Sequence, residues 1–87
     1  MRIQIDRHTL VRAGERGATA AEIEDVVLTG TAIPGKRNRL GRFKIYPFGR
    51  LRNGKRYEQK RVEVYYVEED NVLVTVTVYV FYGQWEC

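Results

Sequence analysis

The sequence predicts an α+β domain in the order β-α-α-β-β-β, with two N-terminal helices packed on one face of an antiparallel sheet. Three observations carry this. Two helix-start signals fall within the first thirty residues, at Asp6 and at Thr19-Ala20-Ala21-Glu22. After Pro34-Gly35 the apolar period changes from 3.6 to 2. Asn53-Gly54 then gives a two-residue hairpin signal between strand-like runs. At 87 residues the chain has room for one domain, 1–87, with one modest core.

Each element has a local reason. Met1 to Ile5 reads as a short first strand. Asp6 is a good N-cap for a helix over residues 7–16, which Gly17 ends in the left-handed conformation. On that helix Leu10, Val11 and Gly14 fall on one side, and His8, Arg12, Glu15 and Arg16 on the other. The capping box starts a second helix over about 20–29, with Ile23, Val26 and Val27 as its apolar stripe and Gly30 as its stop. Phe43 to Tyr46 is strand-like, interrupted by Pro47 and Gly49. Arg61 to Val67 and Asn71 to Tyr82 follow, separated by a turn in Glu68-Glu69-Asp70-Asn71.

Register follows from the turns. A two-residue turn at Asn53-Gly54 sets Ile45 opposite Val62 and Phe43 opposite Val64. A three-residue second turn sets Val62 opposite Val78 and Val64 opposite Val76. The alternating Val72, Val74, Val76, Val78 and Val80 then share the helix-covered face. The open face is expected to carry Lys44, Tyr46, Arg61, Glu63, Tyr65, Thr75, Thr77 and Tyr79.

Charge is unevenly placed. Residues 36–61 hold eleven Lys or Arg against the single Glu58, a net +10. The rest has four cations and ten acids, a net −6. Such asymmetry points to a polyanion, RNA or DNA, with Arg37, Arg39, Arg42, Lys55, Arg56 and Lys60 as backbone contacts. The alternative is a solubilising hairpin whose charges keep sheet edges apart. No apolar run is long enough to span a membrane and no secretory signal opens the chain, which gives the expectation of a cytoplasmic protein. One His and one Cys exclude a zinc site within the chain, and no phosphate loop, dinucleotide motif or nucleophile elbow occurs. No cofactor is expected. Cys87 has no partner base for a nucleophile's role.

The open face is where chemistry is expected. Arg and Lys can neutralise phosphate, and Tyr can stack on unpaired bases. Glu63 beside Arg61 could take the proton of a ribose 2′-hydroxyl. His8, the one histidine, is a second candidate for general acid or base. Equally, exposed strands favour Thr, Tyr, Lys, Glu and Arg for their fit to a wet pleated surface, and a histidine often caps or packs a helix start.

Several motifs recur in order. His8 precedes Glu15-Arg16-Gly17, Thr19 and an acidic helix. Later come Arg42-Phe43-Lys44, Pro47-Phe48-Gly49, Gly54-Lys55-Arg56-Tyr57, Val62 to Glu68, and Val76-Thr77-Val78-Tyr79 running to Gly83-Gln84-Trp85-Glu86. This arrangement, across nearly the whole chain, resembles the domain of unknown function 4258 family, which looks related to RelE/ParE-like toxins and to barnase-, EndoU- and colicin-type ribonuclease folds. Positions matching its motifs are His8, Arg16, Arg42, Thr77 and Tyr79. Gly14 and Ala18 depart from the pattern. The resemblance implies a RelE-like fold and a metal-independent endoribonuclease, the toxin of a toxin–antitoxin pair with an acidic antitoxin partner. His8 or Glu63 would accept the proton, Arg16, Lys44 and Arg61 would hold phosphate, and Tyr79 would position a base. A non-catalytic RNA- or DNA-binding module, or a partner-binding protein, is the competing reading.

Overall fold

The computed structural model describes residues 2–85, in the order β1 (Arg2–Gln4), α1 (Arg7–Arg16), α2 (Ala20–Thr29), β2 (Thr31–Ile33), β3 (Leu40–Arg52), β4 (Lys55–Glu69) and β5 (Val72–Gly83). Met1, Glu86 and Cys87, and with them the start of the expected first strand, the end of the closing motif and the cysteine assessed above, lie outside the described residues. The α+β class holds, with two corrections. The short β2 is an additional strand, and the sheet is mixed. Its order is β1-β5-β4-β3-β2, and β1 runs parallel to β5 while the other pairs are antiparallel.

The helix signals act as expected. The Asp6 carboxylate accepts from the His8 backbone N–H at 3.0 Å. Thr19 and Glu22 exchange both bonds of the capping box, at 3.0 and 3.1 Å. All three hairpins among the described residues turn through two consecutive left-handed residues, Arg37-Asn38, Asn53-Gly54 and Asp70-Asn71. At Asn53-Gly54 and Asp70-Asn71, which join strands directly, this primed geometry matches the twist of the flanking strands, whereas Arg37-Asn38 lie within the longer loop 34–39.

Two irregularities decide which side chains face the helices. Near the Asn53-Gly54 turn Arg52 pairs with Lys55, as a two-residue turn requires, but a bulge between Pro47 and Arg50 shifts the register by one. Lys44, not Ile45, then lies opposite Val62, and Arg42, not Phe43, lies opposite Val64. The second turn is two residues, Asp70-Asn71, not three, and a further shift at Tyr65/Tyr66 adds one more position, so that Val62 lies opposite Val80 and Val64 opposite Val78. A one-residue slip exchanges the two faces of a strand. Thr75, expected on the open face, is therefore buried under the helices, and Val76 is only half-buried.

The core comprises Ile23, Val26 and Val27 of α2 with Val62, Val64, Tyr66, Leu73 and Val78 of the sheet, closed by Ala13 and Ala18. Burying a Val or Ile contributes about 1.5–3 kcal/mol each. On α1 the expected apolar side is reversed: Thr9 and Ala13 are buried, while Leu10 and Val11 are 43% and 55% exposed. Small side chains are what α1 turns toward the sheet.

Candidate nucleic-acid interface

Basic residues of 36–61 separate into two groups. On the helix-covered face four of them dock the helices, three on carbonyls at C-terminal ends, where unpaired carbonyls and the helix dipole attract cations, and Lys44 on side chains of α2. Lys60, only 6% exposed, donates to the Gly17 carbonyl at 2.8 Å and to Glu22 Oε1 at 2.9 Å. Arg52 donates to the Glu15 carbonyl at 2.9 Å, and Arg42 to the Gly30 carbonyl at 3.3 Å. Lys44 Nζ meets Asp25 Oδ2 at 2.7 Å and Thr29 Oγ1 at 2.9 Å, and the Tyr46 hydroxyl donates to the same Asp25 oxygen at 2.6 Å. The Lys44 ammonium, with Tyr46 and Thr29, holds the Asp25 carboxyl down from 3.8 to about 2, and burial pushes Tyr46 up.

Three expected contacts are thereby corrected. Lys44 lies beneath α2 and not on the open face, because the Pro47–Arg50 bulge turned it over. Arg42 and Lys60 bond the Gly30 and Gly17 carbonyls at helix ends and do not stand on the open face. Lys55 and Arg56 sit at the exposed β3–β4 tip, where Lys55 lies 5.5 Å from the Tyr57 ring centre and Arg56 bonds Glu58 and the Gly49 carbonyl. At ~3.3 Å per residue along β4, Arg56 is about 30 Å from Tyr65.

The open face gathers the second group. Phe43 and Ile45 take the places expected for Lys44 and Tyr46, beside Arg61, Glu63, Tyr65, Thr77, Tyr79 and Phe81. Arg61 Nε donates to Glu63 Oε2 at 2.8 Å, and its guanidinium lies 3.8 Å from the Phe43 ring centre. The Tyr65 hydroxyl donates to Glu63 Oε1 at 3.1 Å. Burial first, and then the Glu63 carboxylate, push the Tyr65 phenol up, so it stays protonated at neutral pH. Tyr65 meets Tyr79 edge-on at 5.9 Å, and Tyr79 stacks on Phe81 at 6.4 Å.

Beside this network is a cleft of about 220 Å3 lined by Pro34, Lys36, Arg39, Tyr65, Thr77 and Tyr79. Lys36 and Arg39 flank the Arg37-Asn38 turn, which holds them over the sheet, and Arg39 N–H donates back to the Lys36 carbonyl at 3.2 Å. Arg37 is exposed on the turn itself. The Tyr65 ring can lie across β3 because its partner there is Gly41; a Cβ at Gly41 would meet ring carbons at 2.8 and 3.0 Å.

Arg16 reaches the free edge of β5, donates to the Val78 carbonyl at 2.5 Å, and brings its guanidinium within 5.1 Å of the Tyr79 ring centre. His8 is exposed in the first turn of α1, about 12 Å along the helix from Arg16 at ~1.5 Å per residue, and no described contact joins it to the cleft. The structure thus brings together Glu63, Arg61, Tyr79, Arg39 and, at the edge, Arg16. Sequence reasoning missed the cleft roles of Lys36, Gly41 and Tyr65. A glycine inside a strand marks close approach, but Gly41 precedes the strand-like Phe43–Tyr46 run and falls inside β3 only in the structure. Among the described residues no three His, Cys, Asp or Glu side chains cluster as a metal site would need, and no helix is long and apolar enough to cross a membrane. Comparison with family models, curated proteins and solved structures finds no match.

Proposed function

We propose that the open face binds single-stranded RNA and cleaves it without a metal ion, as a RelE-like toxin would. The observation that supports this best is the Arg61–Glu63–Tyr65 network ending in a cleft with two cations, Lys36 and Arg39. A phosphate seated between those cations sets the preceding ribose against the Tyr65 hydroxyl. The phenol oxygen takes the 2′-hydroxyl proton while its own proton passes to Glu63 Oε1. The 2′-oxygen then bonds to phosphorus, and the bond from phosphorus to the 5′-oxygen breaks. The departing oxygen takes a proton from the Lys36 ammonium, and Arg39 offsets the charge that accumulates on phosphorus. Arg61 holds the Glu63 carboxylate in place. Products are a 2′,3′-cyclic phosphate and a 5′-hydroxyl.

The test is incubation of the protein with single-stranded RNA in EDTA, with product ends mapped. Glu63→Gln and Tyr65→Phe should each slow cleavage by about a hundred- to ten-thousand-fold with the melting temperature unchanged. Cleavage at the wild-type rate in both variants overturns the chemistry. One observation favours a non-catalytic binding module instead: both Glu63 oxygens already have protein partners, as in a network that only stiffens a surface. RNA that binds with Lys36- and Arg39-dependent affinity but is never cut would establish that second reading.

A further inference from the structure

A second cleft, of about 450 Å3, lies at the other end of the same sheet face, lined by Ile45, Pro47, Glu58, Gln59, Gln84 and Trp85. We propose that it is a nucleobase subsite for the far end of the RNA strand whose phosphate occupies the Lys36–Arg39 cleft. This rests on the RNA-binding reading above and adds a polarity to it: phosphate at one end, base at the other.

The argument starts from what lines each cleft. Two cations line the first, whereas Lys and Arg do not line the second. The second has an apolar floor, Ile45 and Pro47, an indole wall and a rim of two amides and a carboxylate. Those are the groups that recognise a base: a flat ring to stack on, and donors and acceptors for its edge. Glu58 is ion-paired with Arg56 at 3.0 Å, which lowers its repulsion of an approaching strand.

The wall is fixed in place. Trp85 follows β5, and its backbone N–H donates to Gln59 Oε1 at 2.6 Å. Its ring lies across Gly83, where an added Cβ would come within 3.5 Å of it. Gln59 pairs with Gly83 in the register that pairs Arg61 with Phe81 and Glu63 with Tyr79, so the indole stands on the open face.

The path between the clefts suits a single strand. Tyr79 and Phe81 are 41% and 47% exposed, and Arg61 lies beside them. From Tyr65 to Gln59 along β4 is about 20 Å at ~3.3 Å per residue. A stacked strand at ~3.4 Å per nucleotide covers that with about six nucleotides, and a dinucleotide does not reach.

Trp85 is the one tryptophan of the chain, so its emission reports on this cleft directly. The experiment titrates the protein at low salt into end-labelled, uncleavable 2′-O-methyl oligonucleotides of two to ten residues, reading binding by the anisotropy of the label and, in parallel, Trp85 emission. Octamers should quench Trp85 emission on binding, and dinucleotides should bind weakly without quenching. Trp85→Ala should leave the melting temperature and dinucleotide affinity unchanged while lowering octamer affinity about tenfold, the range of one base–aromatic stack. Gln59→Ala, which keeps the reporter, should weaken the octamer quench. Octamers that bind without quenching, or bind Trp85→Ala as tightly as wild type, overturn the subsite and leave the RNA-binding reading standing. Absence of binding at every length overturns both.

Discussion

The two faces of this sheet are built from the same residue types and use them oppositely. Beneath the helices, Arg42, Lys44, Arg52 and Lys60 are held at short range by carbonyls, Asp25 and Glu22. On the open side, Lys36 and Arg39 line a cleft, and among the described residues their side chains make no hydrogen bond or ion pair. A net charge of +10 over one segment therefore overstates the surface offered to a polyanion. What distinguishes a docking cation from a ligand-binding one is the partner it already has.

The comparison is broken most severely by exchanging the faces. Val78→Asp places a charge in the core and should cost more than about 4 kcal/mol, whereas Thr77→Asp, one residue away on the open face, should cost under about 1 kcal/mol. Urea unfolding of both variants checks this, and equal losses would mean the faces are misassigned.

Cations on the two faces should fail in different assays. Lys60→Met leaves the Gly17 carbonyl unpartnered and Glu22 with only its Thr19 N–H bond, and should cost about 2 kcal/mol of stability. Changing Lys36 and Arg39 together to Ala should barely move the melting temperature. It should instead lower the dependence of RNA affinity on salt by about 0.7 in the log–log slope, the value for one lost phosphate contact on a single strand. Filter binding at several salt concentrations beside thermal melts separates the two.

The Asp25 pair sharpens the helix side further. Its carboxyl titrates near 2 when folded and near 3.8 when exposed, so its contribution is complete above about pH 4 and is lost as pH falls toward 2. Urea midpoints of wild type and Asp25→Asn should therefore converge over that window. A constant gap would show that the Lys44–Asp25 bond does not support the fold.

The smallest expected effect is at the Arg37-Asn38 turn. Arg37 occupies a left-handed position that Asn or Gly adopts at lower cost. Arg37→Asn should raise stability by about 0.5 kcal/mol while weakening RNA binding. A variant both less stable and unchanged in binding would count against a ligand role for this side chain.

Much of the fold was legible because its signals are local. The Thr19–Glu22 capping box, the Asp6 cap and the Asn53-Gly54 turn need only neighbouring residues, and each stands where the sequence set it. Face assignment failed where it depended on uninterrupted alternation. Pro47 marks an interruption, but its effect, turning Lys44 and Phe43 over, depends on whether the extra residue is absorbed before or after them. The shift at Tyr65/Tyr66 carried no such marker, and the unbroken valine series concealed it. On α1, hydrophobicity favoured Leu10 and Val11, while close approach to the sheet selected Thr9 and Ala13. The site was half legible: Arg61 and Glu63 of the network and Arg39 and Tyr79 of the cleft are all residues the sequence points to. Lys36 joins them only through the β2–β3 turn, and β2 is too short to declare itself in a pattern.

The parallel pairing of β1 with β5 has a kinetic consequence. The three hairpins close between residues near in the chain, but Arg2 meets Val72 and Gln4 meets Val74 across about seventy intervening residues. Joining such distant segments demands the loop entropy that neighbouring strands avoid. β1 should therefore dock last during folding and detach first in local opening. Its amides, and those of β5 from Val72 to Val74 that face it, should exchange with solvent well before the β3–β4 ladder does. Since the Asp6 N–H is tied to Thr75 at 3.0 Å directly after β1, that first opening would loosen the start of α1 as well, and with it the one segment that carries His8.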